Sequence, residues 1–271
     1  MLSFPNCKIN LGLNILRKRS DGYHDLETVF YPIPLTDVLE LVECDQPGFQ
    51  LSGLKVEGNP DDNLCLKAYH LLKQDFPHLP AVSFHLLKAI PIGAGLGGGS
   101  ADGAFMLKLL NQKFRLTLTE QQLIDYALQL GSDCPFFIVN KPSFATGRGE
   151  KIEPVELDLS PYKFVIVNPG IHISTKEAFS KLVPAVPAKC IKEIIQQPLT
   201  TWKNELVNDF EKPFFQLHPA IESIKTQLYN AGAVYASMTG SGSTVYGIFE
   251  KSTRISLSFP PGYLHMQLPA S

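Results

Sequence analysis

One tryptophan, four methionines and five cysteines are all that a chain of 271 residues carries of those types. The cysteines, at positions 7, 44, 65, 134 and 190, are odd in number and scattered, with no Cys-x-x-Cys pair. That pattern argues against a disulfide framework and against structural zinc, and it suits a reducing cytoplasm. Charge of one sign is missing as well: 24 basic residues face 26 acidic ones, for a formal net charge of −2. Nothing in that balance calls for nucleic acid or an anionic membrane as a partner. No apolar run approaches the roughly 20 residues of a membrane span. The N-terminus, MLSFPNCKINLGLNIL, lacks the basic-then-apolar layout of a signal peptide. Internal repeats and low-complexity segments are also lacking. The expectation is a cytoplasmic protein, monomer or homodimer, whose partner is a small molecule.

Hydrophobic residues make up 44% of the chain and charged residues 18%, the composition of a globular protein. Residues 7–16 alternate and predict a strand, followed by a turn in which Arg17 to Arg19 read as a solvated hairpin tip. Further strands are predicted at 26–33, 37–43 and 49–54. Apolar residues at 64, 68, 71 and 72 predict an amphipathic helix beginning near Asn63. "VSFHLLKAI" reads as a strand, and "SADGAFMLKLLNQ" as a helix. Thr119 to Gln122 form a capping box, with Gly131 as the far cap of the helix they start. Strands are predicted at 135–139 and 143–146, then a buried strand in "PYKFVIVNPG". Helices at 174–183, 189–196 and about 218–230 precede strands at 234–238 and 244–249. The pattern predicts an α+β fold of two lobes, divided into residues 1–157 and 158–271.

"PIGAGLGGGSADGA", residues 91–104, lies between a predicted strand and a predicted helix, and five of the seven residues from Gly93 to Gly99 are glycine. Glycine lets backbone N–H groups converge on an anion, and the helix that follows adds its positive end. The Walker A pattern fails, because Gly99 is followed by Ser100-Ala101 rather than Lys-Ser/Thr. A dinucleotide-binding GxGxxG can be laid over Gly93, Gly95 and Gly98, with Glu120 as the acidic partner. That overlay keeps open a dinucleotide-dependent oxidoreductase, and a non-catalytic nucleotide-binding module is a further alternative.

The glycine loop resembles the ATP-binding loop of the GHMP superfamily, named for galactokinase, homoserine kinase, mevalonate kinase and phosphomevalonate kinase. Further stretches carry the resemblance along nearly the whole chain: "CKINLGLNIL" at 7–16, "DGYHDLETVF" at 21–30, "GSDCPFF" at 131–137, "ATGRGE" at 145–150 and "SMTGSGSTVYGIF" at 237–249. Gly22-Tyr23-His24 narrows it to a branch that phosphorylates a methylerythritol linked to cytidine diphosphate, in isoprenoid-precursor synthesis. A GHMP kinase for another small alcohol remains the near alternative. The resemblance implies a two-lobed GHMP kinase fold, with an N-terminal domain like domain 2 of ribosomal protein S5 and a ferredoxin-like C-terminal domain. It also implies ATP and Mg²⁺ as cofactors.

The same resemblance implies a role for each matching residue. Lys8 matches the catalytic lysine and Asp133 the catalytic aspartate that takes or orients the hydroxyl proton; read alone, Lys8 is an edge-strand lysine reaching solvent and Asp133 turn chemistry. On the ATP side the matching positions are Asn63, Lys88, Pro91, Gly93, Ala94, Gly95, Leu96, Gly97, Gly98, Gly99 and Ser100. Without the resemblance Asn63 reads as a helix N-cap and Lys88 as a solvated strand end. On the substrate side, Asn10 matches a position near the methylerythritol, Tyr23 and Phe179 the faces of a cytosine sandwich with Thr175 nearby on the substrate side, and His24 a hydrogen bond to the base. Gly240-Ser241-Gly242 is expected to pack against the first glycine loop. The loop ends in a single hydroxyl residue, Ser100, where the family often has two, and no carboxylate ligand for Mg²⁺ stands out.

Overall fold

The computed structural model describes residues 1–56 and 58–269, with Thr175 and Lys176 described by their backbone alone. The elements run β1 (Leu2–Ser3), β2 (Asn6–Lys18), β3 (His24–Thr36), β4 (Val38–Glu43), β5 (Gly48–Gly53), α1 (Leu64–Asp75) and β6 (Val82–Lys88). The chain continues through α2 (Gly98–Phe114), α3 (Glu120–Leu130), α4 (Cys134–Val139), β7 (Ser143–Gly147), β8 (Lys151–Pro154) and β9 (Tyr162–Asn168). It ends with α5 (Thr175–Ser180), α6 (Ile191–Ile194), α7 (Trp202–Glu205), α8 (Glu211–Leu217), α9 (Pro219–Asn230), β10 (Tyr235–Met238), β11 (Val245–Glu250) and β12 (Leu264–Pro269). Among the described residues no helix is long and apolar enough to cross a membrane.

Two compact units emerge, each assembled from separate stretches of chain. The first comprises Met1–Cys7, Leu35–Ile92 and Gly97–Lys141; the second comprises Lys8–Pro34, Gly93–Leu96 and Pro142–Ser271. In the first unit the sheet order is β1-β4-β6-β5, with β4 antiparallel and β5 parallel to β6. The register sets Leu39 opposite Leu86 and Leu41 opposite Phe84, four residues that are all buried. On α1 the buried residues are Cys65, Ala68, Tyr69 and Leu72, and on α2 they include Met106, Leu107 and Leu110. The period of two along β6 that buries Val82, Phe84 and Leu86 also turns Lys88 inward.

The second unit holds two sheets, β2-β3-β7-β8 and β10-β11-β9-β12. Strand β9 lies between β11 and β12, both antiparallel to it, and its buried run Phe164–Val167 needs partners on both faces. Val165 and Val167 belong to a core with Phe210, Phe214, Ile221, Ile224, Leu228, Val245 and Phe249, brought by α8, α9 and β11 and by the turn before α8.

One predicted strand is a helix. Residues 135–139 belong to α4, with Pro135 in the first turn, where its missing N–H costs nothing. Asn140, left-handed at φ 52°, closes the turn by donating its N–H to the Phe136 carbonyl at 2.6 Å. Cys134 to Ile138 are all buried, so a single helical turn shows no polar face and its sequence cannot be told from a buried strand.

Candidate active site

In the second unit β2 is buried on both faces from Cys7 to Ile15, which takes Lys8 and Asn10 out of water, each at 3% exposure. Lys8 therefore does not reach solvent as an edge-strand lysine does. Its Nζ donates to Asn10 Oδ1 at 2.7 Å and to the Gly95 carbonyl at 3.0 Å, and it lies 5.0 Å from the centre of the Phe30 ring. Residues two apart on a strand share a face, which brings Lys8 and Asn10 together. Both ends of the Asn10 amide are engaged: Nδ2 donates to Thr28 Oγ1 at 3.0 Å, and Oδ1 also accepts from Thr239 Oγ1 at 3.2 Å.

The glycine loop is built for close backbone approach. Gly93, Gly95 and Gly97 have φ of 62°, 79° and 70°, a region that other residues adopt only under strain. A Cβ on Gly95 would stand 2.0 Å from the Thr239 carbonyl, and one on Gly240 would stand 3.0 Å from the Gly95 Cα. The second glycine-rich stretch thus packs on the first, as expected. The loop's carbonyls are tied down: Leu96 O accepts from Lys8 N at 3.0 Å, and Ala94 O from Thr244 N at 3.4 Å. Ala94 and Leu96 are buried, Pro91 is partly covered, and Gly93 and Gly99 are exposed. A Cβ on Gly99 would meet nothing within 4 Å, so the start of α2 faces open space.

In the first unit Lys88 is 5% exposed and is not a solvated strand end. Its Nζ is paired with Asp37 Oδ2 and, at 2.6 Å, with Asp102 Oδ2. Asp37 Oδ1 accepts from the amides of Ala89 at 2.6 Å and Ile90 at 2.9 Å. Asp102 Oδ1 is buried without a hydrogen-bond partner. Burial pushes the Asp102 carboxyl up to about 8, although Lys88 pulls the other way. Burial also works against the Lys88 ammonium, but Asp102 and Asp37 outweigh it and hold its pKa above the ordinary lysine value. Asn63 caps α1, its Oδ1 accepting from Cys65 N at 2.9 Å.

Asp133 precedes α4 at the cap position but makes no side-chain cap bond. It is partly exposed, whereas Cys134 to Ile138 are buried. Ser100 is hydrogen-bonded to the Cys134 sulfur, and burial pushes that thiol up to about 12, which leaves it inert.

Tyr23, His24 and Phe179 lie in the second unit. His24 and Phe179 stack with ring centres 4.9 Å apart at 20°, and Phe210 meets Phe179 edge-on at 5.1 Å. Burial, then Lys18, lowers the His24 pKa, which favours a neutral imidazole able to donate and accept. Tyr23 is 56% exposed, with the Arg148 guanidinium 4.8 Å above its ring. The side chain of Thr175 lies outside the described residues.

The overlay of a dinucleotide-binding motif fails on this fold. Gly98 already belongs to α2, and α3 follows α2 with no described strand between them. Glu120 stands in the first turn of α3, behind the capping residue Thr119, rather than at the end of a second parallel strand. The sequence reading missed Asp37, Asp102, Thr28 and Thr239 as partners of the candidate lysines. Only the inward parity of Lys88 on β6 gave a signal, since a lysine at that position needs a buried anion.

The GHMP kinase N-terminal domain model matches residues 63–141, and the GHMP kinase C-terminal model matches residues 190–257. A 4-diphosphocytidyl-2-C-methyl-D-erythritol kinase of Bacteroides fragilis is 55% identical over 259 residues, covering 94% of each chain. The protein of that name from Porphyromonas gingivalis is 43% identical, again over 94% of each chain. A crystal structure of a 4-(cytidine 5'-diphospho)-2C-methyl-D-erythritol kinase aligns at a TM-score of 0.79 and 30% identity, covering 92% of this chain and 90% of that one. The mevalonate kinase of Methanococcus jannaschii shares the fold at a TM-score of 0.72 and 14% identity, covering 100% of this chain and 98% of that one. The chain belongs to the GHMP kinase family, in its 4-diphosphocytidyl-2-C-methyl-D-erythritol kinase branch.

Proposed function

We propose that this protein transfers the γ-phosphoryl group of ATP to the 2-hydroxyl of 4-diphosphocytidyl-2-C-methyl-D-erythritol, in the non-mevalonate route to isoprenoid precursors. The observation that carries the reading is identity of 55% across 94% of the chain to a kinase named for that substrate. In the transfer the bond between the γ-phosphorus and its bridging oxygen breaks, a new P–O bond forms at the 2-hydroxyl, and ADP leaves. Such a transfer asks the protein for positioning and charge stabilisation rather than covalent chemistry.

Lys8, desolvated and donating to Asn10 Oδ1 and the Gly95 carbonyl, supplies positive charge to the moving phosphoryl group. Asp133 accepts the hydroxyl proton, or orients it until transfer is under way. Asn10 holds Lys8 as well as facing the methylerythritol. Tyr23 offers an exposed face to the cytosine and His24 an edge to hydrogen-bond it. Phe179 is assigned to the other face of the cytosine; its ring stacks on His24 with centres 4.9 Å apart. Thr175 is assigned to the substrate side, near Phe179.

The cradle fits nucleotide phosphate: three left-handed glycines, buried Ala94 and Leu96, open space beside Gly99 and the first turn of a 17-residue helix. Pro91 to Ser100 line it, with Asn63 and Lys88 behind. Among the described residues no three His, Cys, Asp or Glu side chains gather to hold a metal. That suits Mg²⁺ arriving on ATP, since the ion keeps several waters and takes few protein oxygens. Ser100 is the loop hydroxyl available to it. Held there, the ion would supply positive charge to the phosphates during transfer. Residues 1–157 and 158–271 are the proposed domains, and the proposed setting is the cytoplasm, with a monomer or homodimer that needs neither membrane nor nucleic acid.

ADP release with Mg²⁺-ATP, measured with and without the cytidylated substrate, tests the reading alongside Asp133→Asn. Release that requires the substrate, and falls by about 10²–10⁴-fold in the variant, is the expected result. Substrate-independent release, or a variant as fast as the parent, sinks the substrate or the base assignment respectively.

A further inference from the structure

Thr239 is fully buried in the turn between β10 and β11, and its hydroxyl touches two groups that accept from Lys8, the Asn10 amide and the Gly95 carbonyl. Thr239 Oγ1 accepts from Asn10 N at 3.0 Å. Its single proton lies between Asn10 Oδ1 at 3.2 Å and the Gly95 carbonyl at 3.1 Å. Both of those oxygens also accept from Lys8 Nζ. The orientation of the Asn10 amide is settled from the other side. Thr28 spends its one proton on the Gly12 carbonyl at 2.5 Å, so its oxygen can only accept from Asn10. Asn10 must then present its NH₂ to Thr28 and its oxygen to Lys8 and Thr239.

The Gly95 carbonyl, with two donors on it, fixes the plane of the peptide it shares with Leu96. In a trans peptide the N–H points opposite to the C=O. The Leu96 N–H is therefore turned away from Lys8 and Thr239, as a donor of the glycine loop. One hydroxyl acts on the lysine and on the loop at once.

We propose that Thr239 is a positioning residue for phosphoryl transfer, its buried hydroxyl fixing both the Lys8 ammonium and the Gly95–Leu96 peptide. The proposal rests on the reading of Lys8 as the residue that stabilises the transferred group. A purely structural threonine would matter to stability and leave turnover per folded molecule unchanged.

The test compares Thr239→Val, Thr239→Cys and Thr239→Ser with the parent in kcat, in KM for both substrates and in melting temperature. Val keeps the shape without the hydroxyl, Cys offers a weaker donor, and Ser keeps the hydroxyl. The expected order of kcat is parent and Ser within about 3-fold, then Cys, then Val down by about 10²-fold, in the range of one lost transition-state contact. KM for the cytidylated substrate should stay within about 3-fold, as for an interaction spent on the transition state. If the Val variant does not fold, the Ser-to-Cys ratio carries the test, and equal kcat values overturn the proposal. Lys8→Met separates the two readings. If it retains turnover, the role given to Lys8 is wrong; if it is dead while Thr239→Val turns over like the parent, the positioning role of Thr239 is wrong and that of Lys8 stands.

Discussion

Two buried lysines stand beside two different kinds of hydrogen-bond cluster. In the first unit Lys88 sits between the carboxylates of Asp37 and Asp102, one of which keeps an oxygen with no partner. In the second unit, the hydrogen bonds around Asn10 run through amides, hydroxyls and peptide carbonyls: Thr28, Thr239, Gly12 and Gly95. Charged contacts are strong and tolerant of angle, and they answer to pH. Neutral ones are weaker, but each has a direction, so a set of them fixes orientation. The charged cluster thus serves to clamp β6 to the start of α2, and the neutral set to aim an ammonium.

The comparison breaks first at Lys88. Lys88→Met leaves Asp37 and Asp102 buried without the ammonium they bond, and the loss of one partner from a buried ion pair costs about 3–5 kcal/mol. A fall of that size in the free energy of denaturant unfolding is expected. A loss under about 1 kcal/mol, within the range of an exposed pair, would show that water reaches the cluster.

Gly95→Ala comes next. Its Cβ would meet the Thr239 carbonyl at 2.0 Å, and its φ of 79° is left-handed, so backbone must shift. Left-handed strain alone costs about 1–2 kcal/mol. Calorimetric titration with a non-hydrolysable ATP analogue should show binding weakened at least about 10-fold. Unchanged affinity would mean that the cradle does not hold the phosphates.

Thr28→Val probes the neutral set. Removing one partner of a buried hydrogen bond costs about 1–3 kcal/mol. The loss should be the same at pH 5 and pH 8, because no member of the set titrates in that window. A loss that changes across it would tie Thr28 to a titrating group.

Much of this was legible before any coordinates. The capping box at Thr119 and Gln122, the cap at Asn63, the entry of the glycine loop into α2 and the two-residue spacing of Lys8 and Asn10 are local signals, and each holds. Strand β8 went unread because four residues, three of them exposed, show too few alternations; β12 went unread although Leu264, Met266 and Leu268 alternate with more exposed neighbours. The partners of the two lysines were beyond reach for a different reason. Asn10 and Thr239 are 229 residues apart, and Asp37 and Lys88 are 51 apart. A hydroxyl or carboxylate carries no mark of which distant amine it will meet; the sheet registers decide that.

The finest test of the comparison is the pH dependence of Asp102→Asn. The Asp102 carboxyl is pushed up to about 8 by burial, far above its ordinary value of 3.8. Between those values the folded chain keeps a proton that the unfolded chain releases, so rising pH favours unfolding and stability falls with a slope of at most about 1.4 kcal/mol per pH unit. Above about 8 both states are ionised and the slope ends. The groups packed around Asp102 do not interfere in that window. Lys88 is held above the ordinary lysine value, and the Cys65 thiol on α1 is raised by burial. Asp37 is bonded to Lys88 in the parent and is unchanged in the variant. In the variant the slope from pH 5 to pH 8 should flatten by up to that amount, measured as the difference between paired denaturation curves so that titrations elsewhere cancel. Parallel curves would place the proton elsewhere and make Asp102 an ordinary ion-pair carboxylate, and the contrast between the two lysines would then be one of geometry alone.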